Sequence, residues 1–519
     1  MEIVDDKILI VKTDAPGEIT ANIKKSAVYR NNGSEYEVAV NWGLKEVRAL
    51  TRMGVANPPS PIKAHYKWTG KYAPFEHQKE TASFLTLHDK AFCFNEQGTG
   101  KTASVIWASD YLMKQGDVKR VLILCPLSIM KSAWQQDLFK FAMHRSCAVA
   151  HGTPKQRVKV IQSNAEFVVI NFDGLGVVED EIKAGGFDLI VVDEANAYKN
   201  TQTTRWKILN RIVKELDAKL WMLTGTPAAQ SPIDAYGLAK LVNPDNCPRY
   251  MGQFRDSVMY KVTQFKWAPK VQAERVVHNV LQPAIRFEKK DCLDLPDVTY
   301  TEREAPLTQM QKAYYAMLKS QMAFDAAGES ITAVNAAVNI NKLLQISGGA
   351  VYSDSGEVIE FDVSNRLKAI IEVIEESSNK VLVFVPFTHT IELLKTALTK
   401  HGITCDVING KVPASRRGDI VNTFQSQPTP RVLLIQPQAA SHGLTLTAAD
   451  TIIWYAPVTS VETYLQANAR INRPGQKNAM TIVHIKGSQV EERLYHMLRN
   501  NITNHEKVIE LYRDMMDAS

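Results

Sequence analysis

The sequence predicts an α/β protein of two parallel-sheet lobes, with a helical stretch between them and a small α+β unit in front. Three observations carry this expectation. Short continuous apolar runs recur in two separate parts of the chain, as in Val121–Cys125 and Val432–Ile435, the pattern of strands covered on both faces. The segments between these runs read as helices, which gives βαβ units. The chain has 519 residues, more than the roughly 250–300 that one hydrophobic core usually holds.

Taken in order, residues 1–70 form the small accessory unit. Lys7–Val11 and Tyr36–Val40 read as strands, Leu44–Met53 as an amphipathic helix ended by Gly54, and Asn57–Pro61 as a linker. The first lobe spans 71–240, with strands expected at Ala91–Phe94, Val121–Cys125, Phe167–Ile170, Leu189–Val192 and Leu220–Leu223. In 241–365 strand runs fade and helical periodicity takes over, as in Thr308–Phe324, so this span reads as a helical insertion or linker. The second lobe, 366–487, has strands at Val381–Val385, Thr404–Ile408, Val432–Ile435, Ile452–Tyr455 and Thr481–Ile485. Capping boxes at Ser488-x-x-Glu491 and Thr503-x-x-Glu506 predict two closing helices over 488–519.

Composition narrows the class. Hydrophobic residues make up 45% and charged residues 22%, ordinary values for globular domains. No apolar run approaches the ~18 residues of a membrane span. The N-terminus, MEIVDDKILIVK, is acidic and lacks the apolar core of a signal peptide. Six cysteines lie singly, without a Cys-x-x-Cys pair, which argues for reduced thiols in a cytosol-like compartment. The net charge of +6 leans weakly towards a polyanionic partner, so any basic face must come from placement.

Chemistry concentrates first at Asn95-Glu-Gln-Gly-Thr-Gly-Lys-Thr102. An apolar strand breaks here into a turn with Gly98 and Gly100, and Lys101-Thr102 opens a helix running to about Gly116. Backbone N–H groups of Gln97, Gly98, Thr99 and Gly100 can cradle phosphate oxygens at the helix N-terminus. Lys101 can reach the β- and γ-phosphates, and the Thr102 hydroxyl can hold Mg²⁺. Farther along the same lobe, Leu189-Ile-Val-Val-Asp193-Glu194 delivers two carboxylates at the end of a strand, where open α/β sheets bind ligands. Asp193 is suited to holding Mg²⁺ and Glu194 to polarising the attacking water. Leu223-Thr-Gly-Thr-Pro227 repeats the strand-then-turn geometry, and Thr224 and Thr226 could sense the phosphate state. In the second lobe, Gln466 to Gln476 places Arg470 and Arg473 three residues apart, on one face if helical, and guanidinium groups supplied across a cleft can stabilise charge on a transferring phosphoryl group, the arginine-finger role.

Together these motifs resemble the SNF2-like branch of superfamily 2 helicases and translocases, in a compact bacterial or bacteriophage form. Ala73–Gln78 is similar to the adenine-reading Q motif, with Gln78 its key residue; Asn95–Thr102 resembles motif I. Val121–Leu127 with Ser132-Ala-Trp134 resembles motif Ia, and Asp193–Asn196 and Leu223–Pro227 are similar to motifs II and III. Ser231–Asp234 is family-like, and Asp291–Pro296 resembles the segment before the second lobe. Ile408–Arg417, Ser441–Asp450 and Gln466–Gln476 resemble motifs IV, V and VI. The matches run in order from 73 to 487, which is far more specific than any one motif.

The resemblance implies two RecA-like lobes with ATP between them. The first would supply Gln78, Lys101, Thr102, Asp193 and Glu194; the second would supply Gln466, Arg470 and Arg473. It implies ATP and Mg²⁺ as cofactors and duplex or branched DNA as partner, held by its backbone without sequence readout. Lys131, Arg157, Lys289, Lys290, Arg416 and Arg417 are the candidate backbone contacts, and Trp134 reads as packed in the core. Asn95, Asn196 and His442 stand where the family usually has Asp, His and Gly. None of them removes a residue of the ATP site, so hydrolysis is expected to survive and its coupling to nucleic acid stays open.

The expected function is therefore an ATP-dependent double-stranded DNA translocase, a DNA-dependent ATPase. It would be cytoplasmic in a bacterium or phage-infected cell, or nuclear in a eukaryote. A strand-separating DNA or RNA helicase, a weakly hydrolysing ATP-binding scaffold, and a motor docked on a protein partner through residues 1–70 remain alternatives.

Overall fold

The computed structural model describes residues 1–31, 33, 35–70, 72–225, 227–228, 231–263, 267–292, 295–328, 333–352, 358–440 and 444–500. Thr226, Ser441–Gly443 with His442, and the Thr503-x-x-Glu506 box lie outside them. The chain divides into two compact units, with the changeover between Cys292 and Leu293.

The first unit begins with an antiparallel sheet of β1 (Glu2–Val4), β2 (Ile8–Thr13), β3 (Ser26–Asn31) and β4 (Tyr36–Asn41), in the order β1-β2-β4-β3. Leu9, Val11, Val38 and Val40 alternate inward and pack with Val47 and Leu50 of helix Leu44–Arg52. Asn57–Pro61, expected as a linker, is instead a packed connection. Ser60 is buried with its hydroxyl 2.7 Å from that of Thr86, and Ile62 and Tyr66 enter the core of the next sheet. Its prolines stiffen a seated segment rather than a free one.

That next sheet holds seven parallel strands: β5 (Lys90–Cys93), β6 (Val121–Cys125), β7 (Cys147–Ala150), β8 (Phe167–Asn171), β9 (Leu189–Asp193), β10 (Lys219–Leu223) and, beyond the hairpin β11 (Met259–Lys261)–β12 (Trp267–Pro269), β13 (Ala284–Ile285). Their order is β13-β5-β10-β9-β6-β8-β7. Alternate residues fill a core on each face, Phe92, Leu122 and Ile190 on one and Cys93, Ile123 and Val191 on the other. Two-sided burial explains the uninterrupted apolar runs.

The second unit is built on six parallel strands. These are β14 (Val298–Glu304) and, after the hairpin β15 (Ala350–Tyr352)–β16 (Val358–Glu360), β17 (Lys380–Phe384), β18 (Cys405–Ile408), β19 (Val432–Ile435), β20 (Ala449–Trp454) and β21 (Met480–Lys486). Their order is β14-β21-β20-β17-β19-β18. The α/β class with two RecA-like parallel sheets and an α+β front is thus the architecture observed.

Within 241–365 the structure differs from one uniform helical span. Residues up to Cys292 pack with the first unit and add β13 to its sheet, whereas β14 is an edge strand of the second. β14 reads Val-Thr-Tyr-Thr-Glu-Arg-Glu and is largely exposed. Its acidic residues are held by Lys486 of β21, which lies 2.8 Å from Glu302 and 3.2 Å from Glu304. Helices Gln309–Gly328 and Ala333–Ser347 follow, and Ile340, Leu343 and Leu344 pack on Val490 and Leu494 of helix Gln489–Arg499. The capping box at Ser488 and Glu491 forms as expected. Glu491 also takes the buried Arg366 guanidinium at 2.8 and 3.0 Å.

Candidate nucleotide site

Strand order places the first-unit motifs together. β10 lies between β5 and β9, and its Leu223 pairs with both Cys93 and Asp193. The turns leaving these three strands therefore emerge level at the carboxyl edge of one sheet, and the Thr224 amide donates to Cys93 O at 3.1 Å.

The loop after β5 has the shape a phosphate cradle needs. Gly98 and Gly100 adopt φ of +87° and +81°, left-handed values that side chains disfavour. A Cβ on Gly100 would also collide with the Gln78 amide nitrogen. Helix Lys101–Lys114 starts directly after Gly100, with no side chain capping its N-terminus, so its first amides face the loop. Thr102 stands half-buried in the opening turn. Gln97 Oε1 is buried without a hydrogen-bond partner, an unmet acceptor that fits a site built for a further ligand. The Lys101 ammonium donates to Asn95 O at 2.8 Å and Glu96 O at 3.2 Å, so it folds over the strand end.

Gln78 is engaged with this loop. Its Oε1 accepts from Phe75 N at 3.0 Å and its Nε2 donates to Thr99 O at 3.1 Å. His77 Nε2 lies 2.8 Å from the same carbonyl. Thr99 is thereby pinned to helix Glu76–Leu87 from two consecutive residues.

Asp193 ends β9, and the Glu194 amide donates to its Oδ1 at 2.9 Å. Glu194 itself has φ of +51°, a conformation that costs a non-glycine residue about 1–3 kcal/mol and clusters at functional sites. Burial raises the Asp193 pKa above the usual carboxylate value, against the opposing pull of the Lys101 charge, the Trp134 indole and the Glu194 amide. The Lys101 ammonium and the Asp193 carboxylate therefore feel each other's charge.

Trp134 is packed, as its sequence suggested, but its indole N–H also donates to Asp193 Oδ2 at 3.0 Å. Sequence reasoning missed this contact. So did it miss the role of Asn95, whose amide donates to Thr81 Oγ1 at 2.8 Å and whose Oδ1 accepts from Phe287 N at 3.0 Å. Lys289 N similarly donates to Glu96 Oε2 at 3.0 Å. No local pattern signals partners that fold in from so far along the chain.

In the second unit, helix Val461–Asn468 stops before either arginine. Arg470 and Arg473 lie in the turn that follows, which corrects the expectation of one shared helix face. Arg470 is only 2% exposed. Its Nε donates to Gln466 O at 2.8 Å and its Nη1 to Leu444 O at 3.3 Å, while Leu446 N returns a bond to Arg470 O at 3.0 Å. Arg473 is half-buried; its Nε donates to Ala469 O and its Nη1 to Thr445 Oγ1 at 3.2 Å. Gln466 is buried and donates to Glu462 Oε1 at 3.2 Å.

Five of the six candidate DNA contacts fall into two groups, and the sixth, Lys289, is half-buried in the short helix Lys289–Cys292. Arg157 bonds Ala150 O, Gly152 O and Asn171 Oδ1, and Arg417 bonds Val412 O and Asn409 O, so both guanidinium groups brace their own loops. Lys131 and Arg416 are exposed, and Lys290 is exposed beside Glu288 at 2.9 Å.

Residues 77–348, over half of the chain, match the SNF2-related domain. The chain belongs to the SNF2-related family. Residues 365–475 of this SNF2-related chain match the helicase conserved C-terminal domain, a span that includes Gln466, Arg470 and Arg473. The resemblance carried by the ordered motifs therefore holds. Chromodomain-helicase-DNA-binding protein 1-like of Mus musculus is 26% identical over 438 residues, covering 80% of this chain and 47% of its own length. An uncharacterised ATP-dependent helicase of Mycoplasma genitalium is 26% identical over 435 residues, covering 81% and 40%. Protein p41 of Acyrthosiphon pisum secondary endosymbiont phage 1 is 23% identical over 415 residues, covering 74% and 85%. The chain thus spans less than half the length of the first two. Among solved structures, the Sulfolobus solfataricus SWI2/SNF2 ATPase core in complex with dsDNA is 23% identical, with a TM-score of 0.41, covering 83% of this chain and 92% of that one. Among the described residues no helix is long and apolar enough to cross a membrane.

Proposed function

We propose that this SNF2-related chain is a DNA-dependent ATPase that translocates along duplex DNA, remodelling protein–DNA complexes or processing branched DNA in replication, recombination or repair. The observation that carries the reading is the level placement of Cys93, Leu223 and Asp193, which brings the phosphate loop and the two carboxylates to one sheet edge.

Each residue then has a task. The Gly98–Gly100 amides and the start of helix Lys101–Lys114 bind phosphate oxygens, and Lys101 exchanges its two carbonyl partners for them. Gln78 holds the loop through Thr99 and is the residue from which the adenine would be read. Thr102 and Asp193 would hold Mg²⁺, which supplies charge neutralisation on the phosphates when bound. Glu194, fixed in its left-handed turn, polarises the attacking water. Arg473, the less buried of the two arginines, stabilises charge on the transferring phosphoryl group; Arg470 and Gln466 set the turn that presents it.

The weak-scaffold alternative loses support at Asn95. That residue is occupied in tying Thr81 to Phe287 and leaves Lys101 in place. Exposed Lys131, Arg416 and Lys290 are the cations proposed to track the DNA backbone, and residues 1–70 the surface proposed for a protein partner. The proposed setting is the cytoplasm of a bacterial or phage-infected cell, or the nucleus of a eukaryotic one. A triplex-displacement assay tests the motor. ATP-dependent release of a third strand, without separation of blunt, tailed or forked duplexes, is expected. Separation of the duplex strands would make the protein a helicase instead.

A further inference from the structure

Both oxygens of Asp193 carry a fixed donor. Oδ1 accepts from the Glu194 amide at 2.9 Å and Oδ2 from the Trp134 indole at 3.0 Å. A carboxylate so held keeps its remaining lone pairs in set directions. The indole cannot swing away, because Trp134 is fully buried among Cys125, Ile129, Met130 and Leu138.

The backbone around this indole is unusual. Trp134 lies in a π-helical turn, Met130–Gln135, that follows β6 and runs into helix Gln136–Phe141. Such turns are rare and recur at functional sites. The same turn carries Lys131, exposed on the outside. One short segment therefore has a cation facing solvent and a donor seated on a carboxylate of the nucleotide site.

We propose that Trp134 is a positioning residue for Asp193, fixing the carboxylate that receives the divalent cation and tying it to the Met130–Gln135 turn. This rests on the reading of Asp193 as the cation-holding residue. A side chain that only filled space would offer carbon to the carboxylate; the indole offers a directional N–H instead.

Isothermal titration of the full chain with ADP, with and without Mg²⁺, tests the assignment. The variants are Trp134→Phe and a chain with benzothienylalanine at 134, which keeps the ring shape and replaces the N–H by sulfur. Both should lose about 10-fold or more of the Mg²⁺-dependent gain in ADP affinity, the usual cost of removing a second partner from a metal ligand, while Mg²⁺-free affinity stays unchanged. If Trp134→Phe fails to fold, the benzothienylalanine chain decides. An undiminished gain in that chain, or an equal fall with and without Mg²⁺, overturns the proposal. Lys101→Ala, titrated alongside, should lose ADP binding under both conditions. If it binds ADP like the wild type, or if the wild type shows no Mg²⁺-dependent gain, the reading of the site falls and the Trp134 assignment falls with it.

Discussion

Asn95 and Thr81 are joined by a buried hydrogen bond of 2.8 Å in which the asparagine amide donates, leaving the threonine hydroxyl free to donate to His77 O at 2.7 Å. The direction of that chain depends on Asn95 being an amide. With a carboxylate at 95, Thr81 would have to donate to it and abandon His77, and a charge would enter a position only 1% exposed.

Asn95→Asp should therefore destabilise the first unit by about 1–3 kcal/mol, the cost of a buried polar group left unpaired. Thermal unfolding compared with wild type checks this. An unchanged midpoint would mean that the network rearranges without loss.

The two arginines should part company. Arg473→Ala is expected to leave ATP binding nearly intact and lower kcat roughly 10³-fold or more, as finger losses do. Arg470→Ala should instead loosen the second unit, because its 2%-exposed guanidinium braces Gln466 O and Leu444 O. Nucleotide binding, kcat and melting measured on both variants separate these outcomes; equal melting of the two would contradict the division of roles.

Arg366 and Glu491 form an ion pair at 2.8 Å with side chains 3% and 0% exposed. Removing one partner strands a buried charge, so Glu491→Ala should cost about 3–5 kcal/mol. The double variant Arg366→Met/Glu491→Leu should recover much of that. A double variant no better than the single one would show that the bonds from Gly487 and Ser488 to Glu491, rather than the pair, hold helix Gln489–Arg499.

His484 sets a pH dependence in the second unit. Burial, with help from Arg499, lowers its pKa to about 4, and Tyr464 OH lies 2.9 Å from Nε2. The folded value lies below the unfolded one, near 6.5. Its neutral form thus favours folding fully above pH ~6.5, and that contribution is lost as pH falls towards about 4. Hydrogen-exchange protection factors in β20 and β21, which remove the intrinsic pH dependence of exchange, should fall between pH 7 and 5 in wild type and much less in His484→Gln.

Legibility followed burial. β6, β9 and β19 were readable because sheets covered on both faces demand unbroken apolar runs. β14 was not, since an edge strand with exposed Tyr300 and paired Glu302 carries no such run. The glycine turn into helix Lys101–Lys114 and the strand end at Asp193 were legible because their signals are local in sequence. The helix end at Asn468 was not, as Gln466 to Arg473 contains no breaker and the turn is held by the backbone bond from Leu446 N to Arg470 O. Trp134 was placed correctly in the core, yet its bond to Asp193 spans 59 positions and exists only once β6 and β9 are neighbours.

The most direct test of the account is the ATPase rate of wild type, Lys101→Ala and Glu194→Gln against duplex, single-stranded and branched DNA and RNA at fixed salt. The account predicts a rate raised by duplex or branched DNA, abolished in both variants, with nucleotide still bound by Glu194→Gln. A wild-type rate indifferent to DNA, or a Glu194→Gln rate equal to wild type, would contradict it.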